Sequence, residues 1–259
     1  MEIFRITRNA WGQETLEGVS WSLLPLAIAL GAAIIIGHLV WRARRRPRAQ
    51  AEPGDNSLVT RHAPVDRLFH WISALAVLLL LGSAFLPIAG WKFSWVPLHW
   101  ITGLVLTAAV LFHLVRSTAF RRLRCMWLGP RDVMNALRGR LAAKYTLPQK
   151  LMHATMGIAV TVATFTGVVM LARIDTPLWT RNPYLLDAST WGVIYVLHGA
   201  SALVCLTLTL THVYFSLLPE KRAYLRAMIG GQMTRAEAAQ FHDPQRWSGQ
   251  RKDDPRETR

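Results

Sequence analysis

The chain has 259 residues, 52% apolar and 17% charged, and 30 Lys and Arg against 15 Asp and Glu give a formal net charge of +15. Its apolar residues are clustered into five stretches long enough to cross a bilayer, near 20–41, 68–90, 96–115, 152–172 and 192–217. That pattern excludes a soluble globular protein, and it assigns the basic excess to membrane topology and anionic headgroups rather than to nucleic acid.

The amino-terminal segment is acidic (Glu2, Glu14, Glu17) and lacks a basic n-region, so the first span reads as an uncleaved anchor. An Arg-rich linker, Arg42-Ala-Arg44-Arg45-Arg46-Pro47-Arg48, then runs into Ala-Glu-Pro-Gly-Asp-Asn and ends near residue 60. His70 opens the second span, His99 and His113 bracket the third, and His198 and His212 bracket the fifth. Between the third and fourth spans, a Gly129-Pro130 turn precedes an expected amphipathic helix near 133–143. Pro177, Trp179, Pro183, Tyr184 and Trp191 in loop 173–191 suit an interfacial segment packed on an external partner. The tail from Glu220 is polar, with a helix expected near 234–241 that Thr234 and Glu237 cap as a box. Disorder is expected beyond Pro244.

Cations set the expected topology. Arg121, Arg122 and Arg124 follow the third span; Lys221, Arg222 and Arg226 follow the fifth. With these sides cytoplasmic, only Arg5, Arg8, Lys92, Arg173 and Arg181 of the 30 basic residues face outward. The positive-inside rule then puts the amino terminus outside and the carboxyl terminus inside a bacterial plasma (inner) membrane.

The histidines carry the chemistry. His99 and His113 are 14 residues apart, and so are His198 and His212. Fourteen helical residues advance about 21 Å through nearly four turns, so each pair shares a face and spans most of the hydrocarbon core. Ionisable groups at such depth face the protein interior and serve function. Imidazoles at two depths on facing helices suit two haems, one above the other, each held by two axial ligands. Depth pairs His99 with His198 for the outer haem, and gives the inner one His212 with either His70 or His113. No C-x-x-C-H occurs, so attachment is non-covalent (haem b). Cys125 and Cys205 lie at different depths and do not pair; two cysteines also leave no home for an iron–sulfur cluster, which falls to a partner chain.

Other residues join the candidate site. Gly103, four residues after His99, and Gly199, beside His198, allow a porphyrin or a neighbouring helix to approach the backbone. Arg61 and Arg67 at the inner boundary suit haem propionates as well as topogenic charge. His38, His62 and His242 read as structural or surface residues.

From about residue 61 to 247 the chain resembles the γ subunit (cytochrome b) of membrane-bound respiratory formate dehydrogenases, a group related to the b-type cytochromes of nickel–iron hydrogenases. The resemblance rests on Arg61-x5-Arg67-Leu-Phe-His70-Trp71, Leu98-His99-x3-Gly103, Gln149-Lys150, His198 and His212 at spacing 14, and Met228-Ile-x-Gly231. It implies a four-helix di-haem cytochrome b domain (61–218); the extra amino-terminal helix and its linker (1–60) depart from that four-helix pattern and leave the partner enzyme open, so the whole is expected to be an all-α membrane protein of five transmembrane helices with a cytoplasmic tail (219–259). It implies His70 and His212 for the inner haem and His99 and His198 for the outer, with His113 as the reserve ligand. It also implies a menaquinone or ubiquinone site near the inner haem, where Gln149 hydrogen-bonds a carbonyl, His153 supplies a proton and His212 forms a wall; the alternative is that Gln149 and Lys150 simply cap the fourth span. The partners it implies are an iron–sulfur subunit and a molybdenum, tungsten or nickel–iron catalytic subunit on the outer face. The chain is then an electron-transfer subunit with no dehydrogenase site of its own. A histidine-based metal or proton transporter is the reading from another class, and the near absence of Asp and Glu in the spans counts against it.

Overall fold

The computed structural model describes residues 2–9, 11–44, 55–119 and 126–243. Arg45, Arg46 and Arg48, the cluster Arg121, Arg122 and Arg124, Cys125, and the tail from Pro244 lie outside the described residues.

Among the described residues, five helices have the length and apolarity to cross a membrane. They are α1 (Leu23–Ala43), α2 (Pro64–Phe85), α3 (Trp95–Ala119), α5 (Leu147–Met170) and α6 (Ala188–Leu217). Between α3 and α5 lies the short α4 (Pro130–Leu137). Several hydroxyls within the spans bond to carbonyls of their own helix, as Thr107 does to Gly103, Thr164 to Val160 and Thr211 to Thr207. Hydrocarbon offers them no other acceptor.

The bounds of α2 and α4 differ from expectation. α2 starts at Pro64, whose missing N–H costs nothing in a first turn, and stops at Phe85, where a turn closes on Gly90 at φ +95°. Helix α4 starts at Pro130 rather than near 133, because the Asp132 carboxylate accepts from the Gly129 N–H (3.0 Å). It ends before Gly139 at φ +66°.

The described residues divide into two compact units. One contains 1–40, 69–112 and 156–211; the other contains 41–68, 113–155 and 212–259.

In the first unit the acidic amino-terminal segment is not a loop. It is an antiparallel hairpin of β1 (Phe4–Arg8) and β2 (Glu14–Val19), pairing Phe4 with Val19 and Ile6 with Leu16. The Asn9 side-chain oxygen closes its turn by accepting from the Trp11 and Gln13 N–H groups. A lone hairpin is marginal in water; this one is held because β2 lies against α6 at two glycines. A Cβ on Gly192 would sit 2.8 Å from Leu16 Cβ, and one on Gly199 would sit 2.6 Å from Val19 Cγ2. Helix α1 continues the contact, with Gly31 against Leu210 and the Thr207 hydroxyl donating to the Ala27 carbonyl at 2.9 Å.

The second unit contains a small polar cap. Strand β3 (Leu58–Thr60) pairs with β4 (Gln232–Thr234), flanked by α7 (Arg222–Gly230) and α8 (Arg235–Phe241). Thr234 and Glu237 form the capping box on α8 that the sequence pattern predicts. Ala223, Ala227, Met233 and Ala238 make its core, with Val59 and Tyr224 against it. Gly231 ends α7 at φ +90°, where a Cβ would fall 3.1 Å from the His62 carbonyl.

His242 is the main departure from expectation: it is fully buried. Its Nδ1–H donates to the Ala143 carbonyl (2.5 Å), and its Nε2 accepts from the Tyr224 hydroxyl (2.9 Å) and the Arg61 guanidinium (3.2 Å). These partners require a neutral ring. Burial first, then the Arg61 charge, pulls the His242 pKa down to about 4.

Two outcomes follow from this packing. Gly192→Val overpacks the contact with Leu16 and is expected to destabilise the protein by about 1–3 kcal/mol, read as a lowered thermal midpoint in detergent. The pKa of His242 is lower folded than unfolded, so its contribution is complete above about pH 6.5 and is lost as pH falls toward 4. Proteolysis of the carboxyl-terminal segment should therefore rise between pH 7 and pH 4.5, and His242→Asn should flatten that rise.

Candidate functional site

His99 lies in the first turns of α3, and the five-residue-deep start of that helix places it opposite His198 of α6: the ring centroids are 6.2 Å apart and the planes cross at 71°. Both imidazoles are tied through Nδ1. The Ser83 hydroxyl of α2 donates to the Leu80 carbonyl (3.1 Å), so it accepts from His99 Nδ1–H at 2.9 Å. His198 Nδ1–H donates to the Ala163 carbonyl (3.1 Å), with the Thr166 hydroxyl 3.0 Å away. Carbonyl acceptors fix the tautomer, and Nε2 of each ring is left as the lone-pair nitrogen. Two imidazoles that each bind a shared metal at about 2 Å through one nitrogen have centroids about 6 Å apart. The donor set therefore fits a bis-imidazole iron.

The backbone makes room at the same place. A Cβ on Gly167 of α5 would lie 3.3 Å from His198 Cε1. Trp95 meets His99 edge-on at 6.4 Å. Ser83 and Thr166 are almost fully buried.

Other predicted site residues are arranged as follows. His113 and His153, on α3 and α5 in the second unit, are ring neighbours at 6.0 Å. The Ser117 hydroxyl lies 3.4 Å from His113 Nε2, and one turn along α3 Arg116 pairs with Asp66 of α2. His70 lies in the first unit, edge-on to Trp71, and His212 belongs to the second. Near Gly103 the closest atom to an added Cβ is Leu80 Cδ2, at 4.0 Å, whereas Gly199 is approached by Val19. Arg61 is buried in the cap, donating to His242 and to the Lys144 carbonyl (3.2 Å), with the Tyr224 ring 4.6 Å away. Arg67 donates to the Ile229 carbonyl. Gln149 Oε1 accepts from the Thr146 N–H (2.9 Å) and hydroxyl (3.2 Å), capping α5. Lys150 pairs with Asp132 at 2.9 Å. Among the described residues no three His, Cys, Asp or Glu side chains cluster to hold a metal ion.

A comparison with protein families matches residues 61–231, about two thirds of the chain, to prokaryotic cytochrome b561. The chain belongs to the prokaryotic cytochrome b561 family. It is thus a cytochrome b561-like membrane electron-transfer protein, related to the cytochrome b subunits of nickel–iron hydrogenases. The match is to this wider family rather than to formate dehydrogenase γ subunits in particular. No curated protein matches the sequence. The hairpin and α1 precede the matched stretch, and His242 follows it.

Ser83, Thr166 and Gly167 escaped the sequence reading. Their signal was present: small polar or side-chain-free residues within otherwise apolar spans, on helices facing a histidine. Gly167→Val should push the His198 ring from its position. The expected result is selective loss of one haem by pyridine haemochrome assay, with the helical circular dichroism unchanged.

Proposed function

We propose that this cytochrome holds two haems b and passes electrons across the membrane between an external iron–sulfur partner and quinone. His99 and His198 are the ligands of the outer haem, and His212 with His70 those of the inner one. Each bound haem would supply one-electron chemistry at its iron, and two axial imidazoles leave no position for substrate. The observation that carries the reading is the outer pair, with rings 6.2 Å apart and each Nδ1 engaged by protein.

The quinone is bound near the cytoplasmic end of α5. Gln149 spends its carbonyl oxygen on Thr146, so its amide offers only N–H donors, which suit a quinone carbonyl. Reduction of quinone to quinol consumes two electrons and two protons; in this reading His153, one turn after Gln149 on α5, hands on a proton. With the amino terminus outside, those protons come from the cytoplasm and the transfer is electrogenic.

The electron donor is a formate dehydrogenase-type molybdenum or tungsten enzyme. Kinship with hydrogenase cytochromes favours a nickel–iron hydrogenase as the second reading. Formate or hydrogen, supplied to native membranes, separates the two by which one reduces the b-type haem.

Dithionite-reduced minus oxidised spectra of detergent-purified protein, with pyridine haemochrome quantitation, are expected to give two haems b per chain. His99→Ala and His198→Ala should each abolish the same haem. His70→Ala should remove the other, while His113→Ala retains both; the reverse result would make His113 the inner ligand. A preparation without haem, from cells able to supply it, would overturn the cytochrome reading of these residues.

A further inference from the structure

A short segment, Ala142–Tyr145, leads directly into Thr146 and Gln149, the residues at which the quinone reading puts the headgroup. It has no regular structure of its own apart from an isolated bridge between Ala142 and His242. Three hydrogen bonds fix its backbone from outside. The Asp243 N–H donates to the Ala142 carbonyl (2.8 Å), His242 Nδ1–H to the Ala143 carbonyl (2.5 Å), and Arg61 to the Lys144 carbonyl (3.2 Å). Three successive carbonyls are thereby held by a carboxyl-terminal arm and by Arg61, which themselves meet at His242 Nε2.

We propose that His242 is a positioning residue for the quinone site: it latches the carboxyl-terminal arm to residues 142–145 and so sets the orientation of Gln149. The latch rests on the quinone reading above. Its chain of contacts is continuous. Tyr224 on α7 and Arg61 at the start of the second span both donate to His242 Nε2, so the ring is clamped on one side. Its other nitrogen then grips Ala143, three residues before Thr146. From Thr146 the main chain and hydroxyl hold Gln149 Oε1 and leave the amide N–H groups for the ligand. On the far side of Gln149, Lys150 is tied to Asp132 and to the Trp127 carbonyl (3.1 Å), so the segment is held at both ends. Releasing the first end frees the capping turn while leaving the haem ligands in place.

A ligand-bearing amide that must be held in one orientation loses affinity when its support loosens, whereas electron transfer after binding does not change. The latch therefore affects the concentration at which quinol works, not the limiting rate. In this reading the contact with the quinone is made by Gln149, and His242 acts through it.

The test uses the full-length, haem-loaded protein in lipid nanodiscs, with menadiol as reductant and the visible haem spectrum as readout. The quinone reading requires that wild type be reduced by menadiol and that Gln149→Ala raise the half-saturating concentration; if neither occurs, that reading and the latch both fall. Given both, His242→Ala should raise the half-saturating menadiol concentration about tenfold, the effect of losing about one well-placed hydrogen bond. The limiting rate and the dithionite spectrum should stay unchanged. His242→Asn, which keeps a donor at the position of Nδ1, should recover most of the affinity. Tyr224→Phe, a change too mild to unfold the cap, should shift half-saturation the same way by less. Wild-type half-saturation in His242→Ala would overturn the latch, as would loss of a haem in that variant or an Asn substitution no better than Ala.

Discussion

An imidazole within a hydrocarbon layer must have both ring nitrogens satisfied, and the surroundings of His99 and His198 are organised around that demand. A polar atom left bare at such depth costs several kcal/mol, on the order of a lost hydrogen bond and its desolvation. At His99 and His198 the protein engages Nδ1 of each ring, with a serine hydroxyl at the first and a main-chain carbonyl and the Thr166 hydroxyl at the second. Ser83 reaches His99 because it is one turn from Leu80, whose carbonyl takes the serine proton and turns the hydroxyl into an acceptor. Ala163 reaches His198 because the next turn of α5 carries Gly167, where a side chain would collide with the ring. In the reading proposed above, the second nitrogen of each ring is the one that would take haem iron. The small residues of α2 and α5 exist in service of the histidines of α3 and α6.

Helix α6 carries a second set of obligations. Gly192 and Gly199 are seven residues apart, two helical turns, and so lie on one face. That face receives β2, and the contact with α1 continues down the helix at Thr207 and Leu210. The amino-terminal hairpin and α1 are outside the stretch that matches the family, yet their packing on α6 is closer than any side chain at those glycines would permit. The first span is an integral layer of this unit rather than a tether. Gly199 shows how one position serves two readings. Adjacent to a ligand, it looks like space for a porphyrin; in the fold, it is space for Val19.

How far the sequence could be read follows from the range of the forces involved. Five apolar runs, the capping box at Thr234 and the spacing of the histidines are local patterns, and the helices that contain them are where the patterns place them. Helix ends moved by several residues, since hydropathy marks the membrane and not the hydrogen-bonding start of a helix: Pro64 and Asp132 decide the latter. That the His99 and His198 rings are neighbours was legible because depth is a one-dimensional coordinate. The contact of His113 with His153 was not, because it depends on which helices are neighbours. Nor was the burial of His242, whose partners Arg61, Ala143 and Tyr224 come from three separate segments. Polar composition near the carboxyl terminus reads as solvent exposure, and only tertiary contacts reverse it.

The cap also shows how a cation is buried with neutral partners around it. Arg61 donates to a neutral imidazole, a carbonyl and the Met233 sulfur (3.8 Å), and its guanidinium lies over the Tyr224 ring. Burial pulls the guanidinium pKa down, though a side chain so basic keeps its proton. A planar fork of donors and a π-stacking face are needed for this, and a lysine ammonium has neither. The same arrangement obliges His242 to stay neutral, because an imidazolium would offer Arg61 a second positive charge in place of a lone pair. Arg61 and Gly231 bound the stretch that matches the family, and the Arg61 N–H donates to the Gly231 carbonyl at 2.8 Å. The family's segment is therefore closed by its own two ends. His242 reaches that closure from beyond it, accepting from Arg61 at one ring nitrogen and holding the loop before α5 at Ala143 with the other.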